Sequence, residues 1–589
     1  MIYCINIKKI IAALLIIPFV IVGCGNNPSG VMNSKGGGNN GDSTGSKFQP
    51  INESVPQGSQ DPGFFLKNWQ PKTTSDPAYQ KKAKPSGTLD SRIQIDIHNI
   101  ITKVPDDIYG NNANIYTTQM ANQSVLVSYI KNLNPHLLRF PGGNLSNLYF
   151  WNRKPGNPPS DAPPVDSLPN GGGNYWFGKN QASYTMSLDN YYKLLNETHS
   201  NGVITVNFAY ARYGLSKNPV VKAAHYAADW VRYDNGRTKY WEIGNENYGN
   251  WEAGYRIDTT SVKNGEPALI SGRLYGKYAK VFMDSMRAAA KQIGANIKIG
   301  AVLYQQKPGP GATKVEANWN SGYFKTAGND ADFYIVHDYY TPYNKDSSPS
   351  VILKSAHSST KEVMKWMNTT TQNNGVKLKP VALTEWNIFA KGSGQKVSDI
   401  AGMHASLTLG NLIKYRYGMA CRWDLANAWD GGNDHGMFNS PEAPAPDAPD
   451  WNPRPAFYHM YYFQKYFGGK MVWSGTQGDK AIKSYASTFK SGKVGLVVAN
   501  TSDTKKMFDV QFKNSNPGNR YYWYTISGGY NNGQYSRNLK INGQGASGHP
   551  GGPSNYDSIK AYSASTGGNN GIKLSAPPYS VIYILIDHS

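Results

Sequence analysis

Two glutamates follow apolar runs that have the length and composition of buried strands. Glu246 closes the segment Tyr240–Glu246, and Glu385 follows the run Pro380–Thr384. Each has a tryptophan and an asparagine close by in the sequence. A single glutamate at a strand end is usually solvated or ion-paired. Two of them, on separate strands of one domain, supply the pair of carboxyl groups that hydrolysis of a glycosidic bond needs.

The chemistry of such a pair is asymmetric. One carboxyl must stay protonated to help the leaving oxygen depart, and the other must be ionised to attack the anomeric carbon, so the surroundings of each must differ. Carboxyl groups about 5–5.5 Å apart give retention of configuration through a covalent glycosyl-enzyme, whereas a spacing of about 6.5–9.5 Å gives inversion. The sequence does not give this distance.

Both glutamates lie in a region where strand-like and helix-like segments alternate. Seven apolar runs are predicted strands: His136–Phe140, Val203–Phe208, Tyr240–Ile243, Ile297–Val302, Phe333–Val336, Pro380–Thr384 and Met419–Trp423. Predicted helices lie between several of them: Ser124–Leu133, Leu188–His199, Pro219–Arg232, Tyr275–Ile293, Ser359–Asn368 and Ser398–Tyr415. This alternation predicts an α/β fold, a (β/α)8 TIM barrel with its active site at the C-terminal ends of the strands. A doubly wound sheet is the alternative, but no Gly-x-Gly-x-x-Gly follows the first strand.

The composition changes on both sides of this barrel. Beyond about residue 466, short β-type runs separated by Gly, Asn, Ser and Pro predict an all-β sandwich, and the alternating run at 91–98 is a candidate strand for the same sandwich. We therefore predict four regions: a signal peptide at 1–23, a flexible Gly/Asn/Ser/Pro-rich tether at 24–88, the catalytic barrel at 89–465 and the sandwich at 466–589.

The N-terminus resembles a bacterial lipoprotein signal. Lys8 and Lys9 precede an apolar run, Ile10–Val22, which is shorter than the roughly 20 residues that a membrane-spanning helix needs. The run ends in Ile21–Cys24, which is similar to a lipobox. The resemblance implies that Cys24 is lipidated and starts the mature chain. We expect an exported lipoprotein of the cell envelope, at the outer membrane or cell surface; a secreted protein is the alternative.

Four motifs occur in the order found in family 51 α-L-arabinofuranosidases, which are part of clan A of the retaining glycoside hydrolases. They are LRFPGGN at 138–144, WEIGNE at 241–246, HDYY at 337–340 and TEWN at 384–387. Two later segments, 496–500 and 577–581, resemble the β-sandwich that follows the barrel in that family. The resemblance implies a retaining glycoside hydrolase acting on plant or algal polysaccharide.

The same resemblance implies a role for individual residues. Glu246 is similar to the general acid/base on the fourth strand, and Glu385 to the nucleophile on the seventh. A positive charge on Arg139 would keep Glu385 ionised, and a structural ion pair is the alternative for this arginine. The other residues implied to bind the sugar or hold the nucleophile are Asn144, Asn245, His337, Tyr339 and Trp386.

One position departs from the family pattern. Family 51 members place a glutamate that contacts the non-reducing furanose after the first strand, where Tyr109–Asn114 offers only asparagines. This departure favours an open cleft as an alternative, in which an endo-acting clan A enzyme cuts xylan, β-glucan or an acidic or algal backbone. Aromatic residues in loop-like sequence could stack on sugars there: Trp151, Tyr175, Trp176, Tyr248, Trp251, Trp319, Trp429 and Trp451.

The charge limits the partners. The 589-residue chain has a formal net charge of +21, and roughly +19 remains once Lys8 and Lys9 are removed with the signal. Such a charge favours anionic partners, among them an acidic polysaccharide. No zinc-finger spacing or basic helix interleaved with aromatics indicates nucleic acid. We expect a polysaccharide or oligosaccharide substrate and membrane contact through the lipid only. A glycan-binding surface lipoprotein without catalysis is the competing hypothesis.

Metal and redox chemistry have little support in the sequence. No His-Glu-x-x-His or Cys-x-x-Cys occurs, so we predict no catalytic metal and no cofactor and leave a structural calcium open. Asp430, Asp434 and His435 lie together, but turn chemistry explains them better than a cation does. Cys421 is expected to be a small buried side chain rather than a nucleophile.

Overall fold

Eight parallel strands close into a barrel in the computed structural model, which describes residues 62–163, 178–429, 434–528, 535–546, 548–567 and 571–588. Each strand pairs with the next, and the eighth pairs with the first. In order they are Gly110–Asn112, Leu137–Phe140, Asn201–Val206, Thr238–Ile243, Lys298–Val302, Phe333–Tyr339, Val381–Asn387 and Met419–Arg422. The predicted TIM barrel is confirmed.

Helices cover the outside of this barrel. The longer ones are Ser124–Leu133, Leu188–Thr198, Pro219–Asp234, Gly272–Gln292, Lys314–Ala327, Pro349–Asn373, Asp399–Lys414 and Pro455–Tyr466. Short helical turns lie at Gly63–Leu66, Asp106–Ile108, Met120–Asn122, Asn144–Leu148, Ala209–Tyr213 and Ser393–Lys396. Local sequence sets several helix starts: Ser187, Ser271 and Ser348 accept backbone N–H bonds as N-caps, and Thr313 forms a capping box with Glu316.

The first barrel strand is the one that the sequence did not predict. Gly110–Asn112 has three residues and no alternation of apolar side chains, although all three are buried. Gly110 permits close strand packing, because a Cβ atom there would lie 2.4 Å from the backbone oxygen of Ala420. The helices Lys314–Ala327 and Pro455–Tyr466 were also missed.

A second, largely antiparallel sheet forms the rest of the molecule. Its main path runs through Tyr79–Lys81, Ala561–Ser565, Pro517–Ser527, Ser580–His588, Val494–Asn500, Ile482–Thr488, Lys470–Gly478, Ser91–Lys103, Lys506–Phe512 and Ile572–Ala576. The short strands Lys540–Ile541 and Gln544–Gly545 extend it, and Ala426–Asn427 pairs with Phe438–Asn439 separately. Side chains from both ends of the path, such as Leu574 and Trp523, share one core, so the sheet folds over itself as the predicted sandwich.

The early strand Ser91–Lys103 belongs to this sandwich, as expected for 91–98. It pairs antiparallel with Lys470–Gly478 and parallel with Lys506–Phe512. Its register places Ile93 opposite Thr476 and Val510, and its alternating burial matches the alternating sequence. The chain therefore passes through the sandwich before it forms the first barrel strand.

The predicted tether is too long at its C-terminal end. Residues 24–61 lie outside the described residues, but from residue 62 on the chain is packed. Phe65 is buried under the barrel against Tyr240 and Phe333, and Tyr79–Lys81 adds a strand to the sandwich. Burial of aromatic side chains stabilises this segment, although its Pro- and Lys-rich composition indicated a flexible linker.

The barrel and the sandwich share a buried interface. Val497 and Leu585 face the barrel core, while their neighbours Leu496 and Ile584 face the sandwich core, as strand alternation requires. The hydroxyl of Tyr583 lies 3.1 Å from Nδ1 of His459 and joins helix Pro455–Tyr466 to the sheet. Among the described residues, no helix is long and apolar enough to cross a membrane.

Candidate active site

The predicted catalytic residues come together at the C-terminal ends of the barrel strands. Arg139 lies in the second strand, Glu246 just after the fourth, His337 and Tyr339 in the sixth, and Glu385 in the seventh. This is the end at which barrel enzymes hold their active sites. The site therefore has the location that the sequence predicted.

Glu385 is buried and held by three donors. Its Oε1 accepts a hydrogen bond from Nη1 of Arg139 at 2.8 Å and one from the backbone N–H of Gly143 at 3.3 Å. Its Oε2 accepts one from the hydroxyl of Tyr339 at 3.1 Å. Gly143 has a φ of 61° and a Cβ there would lie 2.9 Å from the ring of Trp423, so glycine lets the backbone approach Glu385. These contacts hold the side chain of Glu385 in one orientation and surround its oxygens with donors.

Arg139 connects both halves of the site. It is fully buried, and its Nε donates to Oε2 of Glu242 at 2.5 Å while its Nη2 donates to Oδ1 of Asn245 at 2.9 Å. Burial alone would lower the pKa of this arginine, but the charges of Glu242 and Glu385 outweigh burial and raise it. Arg139 is thus a permanent cation that forms ion pairs with two carboxylates.

Glu246 lies on a tight turn rather than in a strand. Its φ of 40° is in the left-handed region, directly after the fourth strand. Its Oε1 is 2.8 Å from Nδ1 of His337, and its Oε2 accepts a 2.7 Å hydrogen bond from the indole N–H of Trp251. Burial acts to raise the pKa of Glu246, but the bonds from His337 and Trp251 and the charge of Arg139 outweigh it and lower the pKa.

The two carboxyl groups are close enough for a retaining mechanism. One oxygen of Glu246, one nitrogen of His337 and one oxygen of Glu385 all lie within 4.8 Å of one another. This spacing is near the roughly 5–5.5 Å of retaining enzymes and well below the 6.5–9.5 Å or so of inverting ones. The same three atoms could hold a cation. Donors from the protein already satisfy both carboxylates, so the arrangement is explained without one.

The remaining predicted site residues have different surroundings. Asn245 is buried and bonded to Arg139, so it belongs to the site. Asn144 follows Gly143 at the start of the turn Asn144–Leu148 and is partly exposed there. Trp386 is 1% exposed and packs in the hydrophobic core, so the prediction that it contacts substrate is wrong. Successive side chains of a strand point to opposite faces, so the residue after Glu385 points away from the site.

Four residues of the site were not predicted. Glu242 accepts a hydrogen bond from Nε of Arg139, and Oδ1 of Asn112 accepts a 3.0 Å hydrogen bond from the same guanidinium. Asn147 and Glu252 hold Asn245 from the other side. Glu242 lies inside the WEIGNE motif and so was within reach of sequence reasoning. Glu252 and Asn147 stand in loop-like sequence without any pattern that could have marked them.

The segment where the resemblance places a glutamate ends in a buried asparagine. Asn114 donates a 2.5 Å hydrogen bond to Oδ2 of Asp424, which follows the eighth strand. Burial raises the pKa of Asp424 well above its ordinary range. Asp430 lies outside the described residues, and Asp434 is ion-paired with Arg454. The carboxylate of Asp434 therefore has a cationic partner within the protein.

The aromatic residues considered for stacking are mostly packed inside. Trp151, Trp319, Trp451 and Tyr248 are buried. Trp251 is 37% exposed and is bonded to Glu246, which makes it the best placed of the set to meet a sugar. Tyr175 and Trp176 lie outside the described residues. Cys421 is buried, and burial raises the pKa of its thiol, as expected for a packing residue.

Comparisons with known proteins find one similar sequence family and many similar folds. Residues 129–349 match the family model "Alpha-L-arabinofuranosidase 1 domain". The α-L-arabinofuranosidase of Thermotoga maritima, solved with arabinose, is similar with a TM-score of 0.58 at 16% identity, over 84% of this chain and 99% of that one. The family 51 arabinofuranosidase of Xanthomonas axonopodis pv. citri gives 0.59 at 12% identity, over 85% and 100%. A search of curated proteins found no match.

A third similar structure has a different activity. The family 44 endoglucanase of Clostridium thermocellum gives a TM-score of 0.51 at 13% identity, over 85% of this chain and 100% of that one. At these identities the solved structures show the fold, and the family model carries the resemblance in sequence. The family match over residues 129–349, the fold and the paired glutamates together indicate a retaining glycoside hydrolase that resembles arabinofuranosidases.

Proposed function

We propose that this chain is an exported, lipid-anchored retaining glycoside hydrolase that degrades plant or algal polysaccharide in the manner of an α-L-arabinofuranosidase. Glu385 attacks the anomeric carbon, and Glu246 protonates the leaving oxygen and then activates the water that releases the sugar. The observation that carries the proposal is the spacing of at most 4.8 Å between the two carboxyl groups, with a cation on one of them only.

The surrounding residues support this division of roles. Arg139, Tyr339 and Gly143 stabilise negative charge on Glu385, which suits a nucleophile. Glu246 has an imidazole and an indole around it and a more exposed side chain, which suits a group that exchanges a proton with the leaving group and water. This chemistry uses the two glutamates alone and needs no cofactor.

The second candidate is an endo-acting clan A enzyme. Asn114, bonded to Asp424, stands where family 51 members have a furanose-binding glutamate, and this difference favours another sugar or an internal stretch of polymer. A binding lipoprotein without catalysis is the weaker candidate, because a binding protein needs neither glutamate. Salt-sensitive glycan binding without product would favour it.

Product analysis tests these candidates. A soluble chain from Gly25 on, without the cysteine expected to be lipidated, would be incubated with arabinan, arabinoxylan, xylan, β-glucan, agar and a uronate-containing glycan, with Glu385→Gln as the control. Arabinose as the sole product supports the exo arabinofuranosidase, and oligosaccharides from one backbone support the endo enzyme. No product from any glycan would contradict both and leave the binding protein.

The anchoring proposal rests on the lipobox-like segment before Cys24. We expect the full chain to fractionate with membranes of its host and to incorporate labelled fatty acid. Cys24→Ala is expected to abolish the labelling. Equal labelling of the variant would refute the anchor.

A further inference from the structure

Glu252 is a buried acid that the two-glutamate reaction leaves unexplained. It is 1% exposed, and it forms no ion pair with any residue that the structure describes. Its Oε1 accepts a 2.9 Å hydrogen bond from Nδ2 of Asn245, and its Oε2 accepts a 2.7 Å bond from Nδ2 of Asn147. A buried carboxyl without a cation is costly, so its presence beside the acid/base calls for a reason.

The chemistry of the neighbours fixes the direction of both hydrogen bonds. Arg139 has only donors, so the atom of Asn245 that faces it must be the amide oxygen, and the amide nitrogen then faces Glu252. Asn147 faces the backbone N–H of Asn245 with its oxygen and the backbone oxygen of Asn245 with its nitrogen. Both asparagines therefore present N–H groups to Glu252, and neither offers an acceptor for a proton on it.

The same contacts hold the turn that carries the acid/base. Asn147 binds the backbone of Asn245 on both sides, and its oxygen also accepts a 3.2 Å bond from the side chain of Asn247. Glu246 lies between Asn245 and Asn247 with a positive φ, a conformation that costs a non-glycine residue energy and needs support from its surroundings. Glu252 anchors Asn147 and Asn245 and so anchors this turn.

We propose that Glu252 is a positioning residue for catalysis: it accepts hydrogen bonds from Asn245 and Asn147, orients the amide of Asn245 and holds the turn that carries Glu246 in line with the leaving oxygen. The inference rests on the proposed role of Glu246 as acid/base. Glu252 itself has no contact with substrate in this scheme, because both of its oxygens are occupied and buried.

Burial, and then the charge of Glu246, raise the pKa of Glu252 well above its ordinary range, although the two amide bonds act to lower it. The hydrogen bonds that Glu252 accepts, rather than a negative charge on it, therefore carry the positioning role.

Glu252→Gln tests the proposal, because glutamine keeps the length of the side chain but turns an N–H group toward one of the two asparagine donors and so loses one of the two hydrogen bonds. We expect kcat to fall about tenfold or more on glycosides with poor leaving groups, but less on aryl glycosides, which need little protonation. Glu252→Asp keeps two acceptor oxygens on a shorter side chain and is expected to lower kcat on the poor leaving groups less than Glu252→Gln does.

Glu266→Gln is the matched control. Glu266 lies in the same loop region and is ion-paired with the buried Arg212 at 2.9 Å, away from the two glutamates. This variant is expected to lower the melting temperature without a larger loss of kcat on poor leaving groups than on aryl glycosides. Wild-type kcat in Glu252→Gln on both classes of glycoside, or an equal loss on both, would overturn the proposal.

Two further results keep the test clear. If Glu252→Gln does not fold, an equal loss on both glycoside classes in Glu252→Asp would overturn the proposal in the same way. If the wild-type chain cleaves no glycoside, the proposed function fails first. Active wild type with an unaffected Glu252→Gln contradicts this inference alone.

Discussion

The two sides of the active site hold their glutamates in different ways. Glu385 lies inside a strand, its side chain is 5% exposed, and a fully buried arginine binds it. Glu246 lies on a turn beyond a strand, its side chain is 15% exposed, and its nearest donors are an imidazole and an indole. One glutamate is fixed by charge, and the other is held by hydrogen bonds at the edge of solvent.

This difference matches what each group must do. A nucleophile has to be ionised and aligned throughout, so a permanent cation and a rigid strand help it. An acid/base must lose and regain a proton in every cycle, so a nearby cation that fixed its charge would slow it. Arg139 binds both Glu242 and Glu385, and their negative charges offset part of the effect that its positive charge has on Glu246.

The largest expected effect is a loss of activity that depends differently on the leaving group when each of the two glutamates is replaced. Glu385→Gln should lower kcat/KM by about 10⁴-fold or more on every glycoside, because no covalent intermediate forms. Glu246→Gln should cost about 10²–10⁴-fold on glycosides with poor leaving groups and much less on nitrophenyl glycosides. Steady-state kinetics on matched substrates measures both. Equal losses for the two variants on both substrates would remove the distinction.

Removing the shared cation should have the next largest effect. In Arg139→Gln, Glu242 and Glu385 are left buried without a positive partner, so the free energy of unfolding should fall by about 3–5 kcal/mol. Activity should fall about hundredfold or more, since the nucleophile loses its charged donor. Denaturant unfolding and kcat/KM give the two values.

The control for that variant is an arginine of the sandwich. Arg92 binds Asp509 at 3.1 Å with both partners partly exposed, so Arg92→Gln should cost only about 0–1 kcal/mol. If the two variants lost similar stability, Arg139 would not be the buried cation on which the comparison rests.

The sequence predicted the nucleophile side better than the acid/base side. Arg139, His337, Tyr339 and Glu385 stand within strands, where a two-residue period and an apolar run mark the position of each side chain. The turn of Glu246 depends on Asn147 and Glu252, which lie in loops where no period exists. Periodic sequence patterns predict regular strands and helices, whereas the half of the site that holds Glu246 lies on irregular backbone.

The fold shows the same limit. Seven barrel strands are apolar and could be predicted, but Gly110–Asn112 is buried by closure of the barrel rather than by its own apolar residues. The Pro- and Lys-rich composition did not predict that the chain is packed from residue 62 on, because Phe65 packs against residues that are distant in the sequence. Trp386 was misplaced because its motif was weighed without the alternation of the strand.

The smallest expected effect tests the indole donor of the acid/base. Trp251→Phe keeps an aromatic ring and removes the indole N–H that bonds Oε2 of Glu246. That bond lowers the pKa of Glu246, so its loss should raise the pKa. The acid form then persists to higher pH, and the basic limb of the kcat/KM profile should move upward. A profile that does not move, in a variant with wild-type melting temperature, would show that the indole N–H has no part in the ionisation of Glu246.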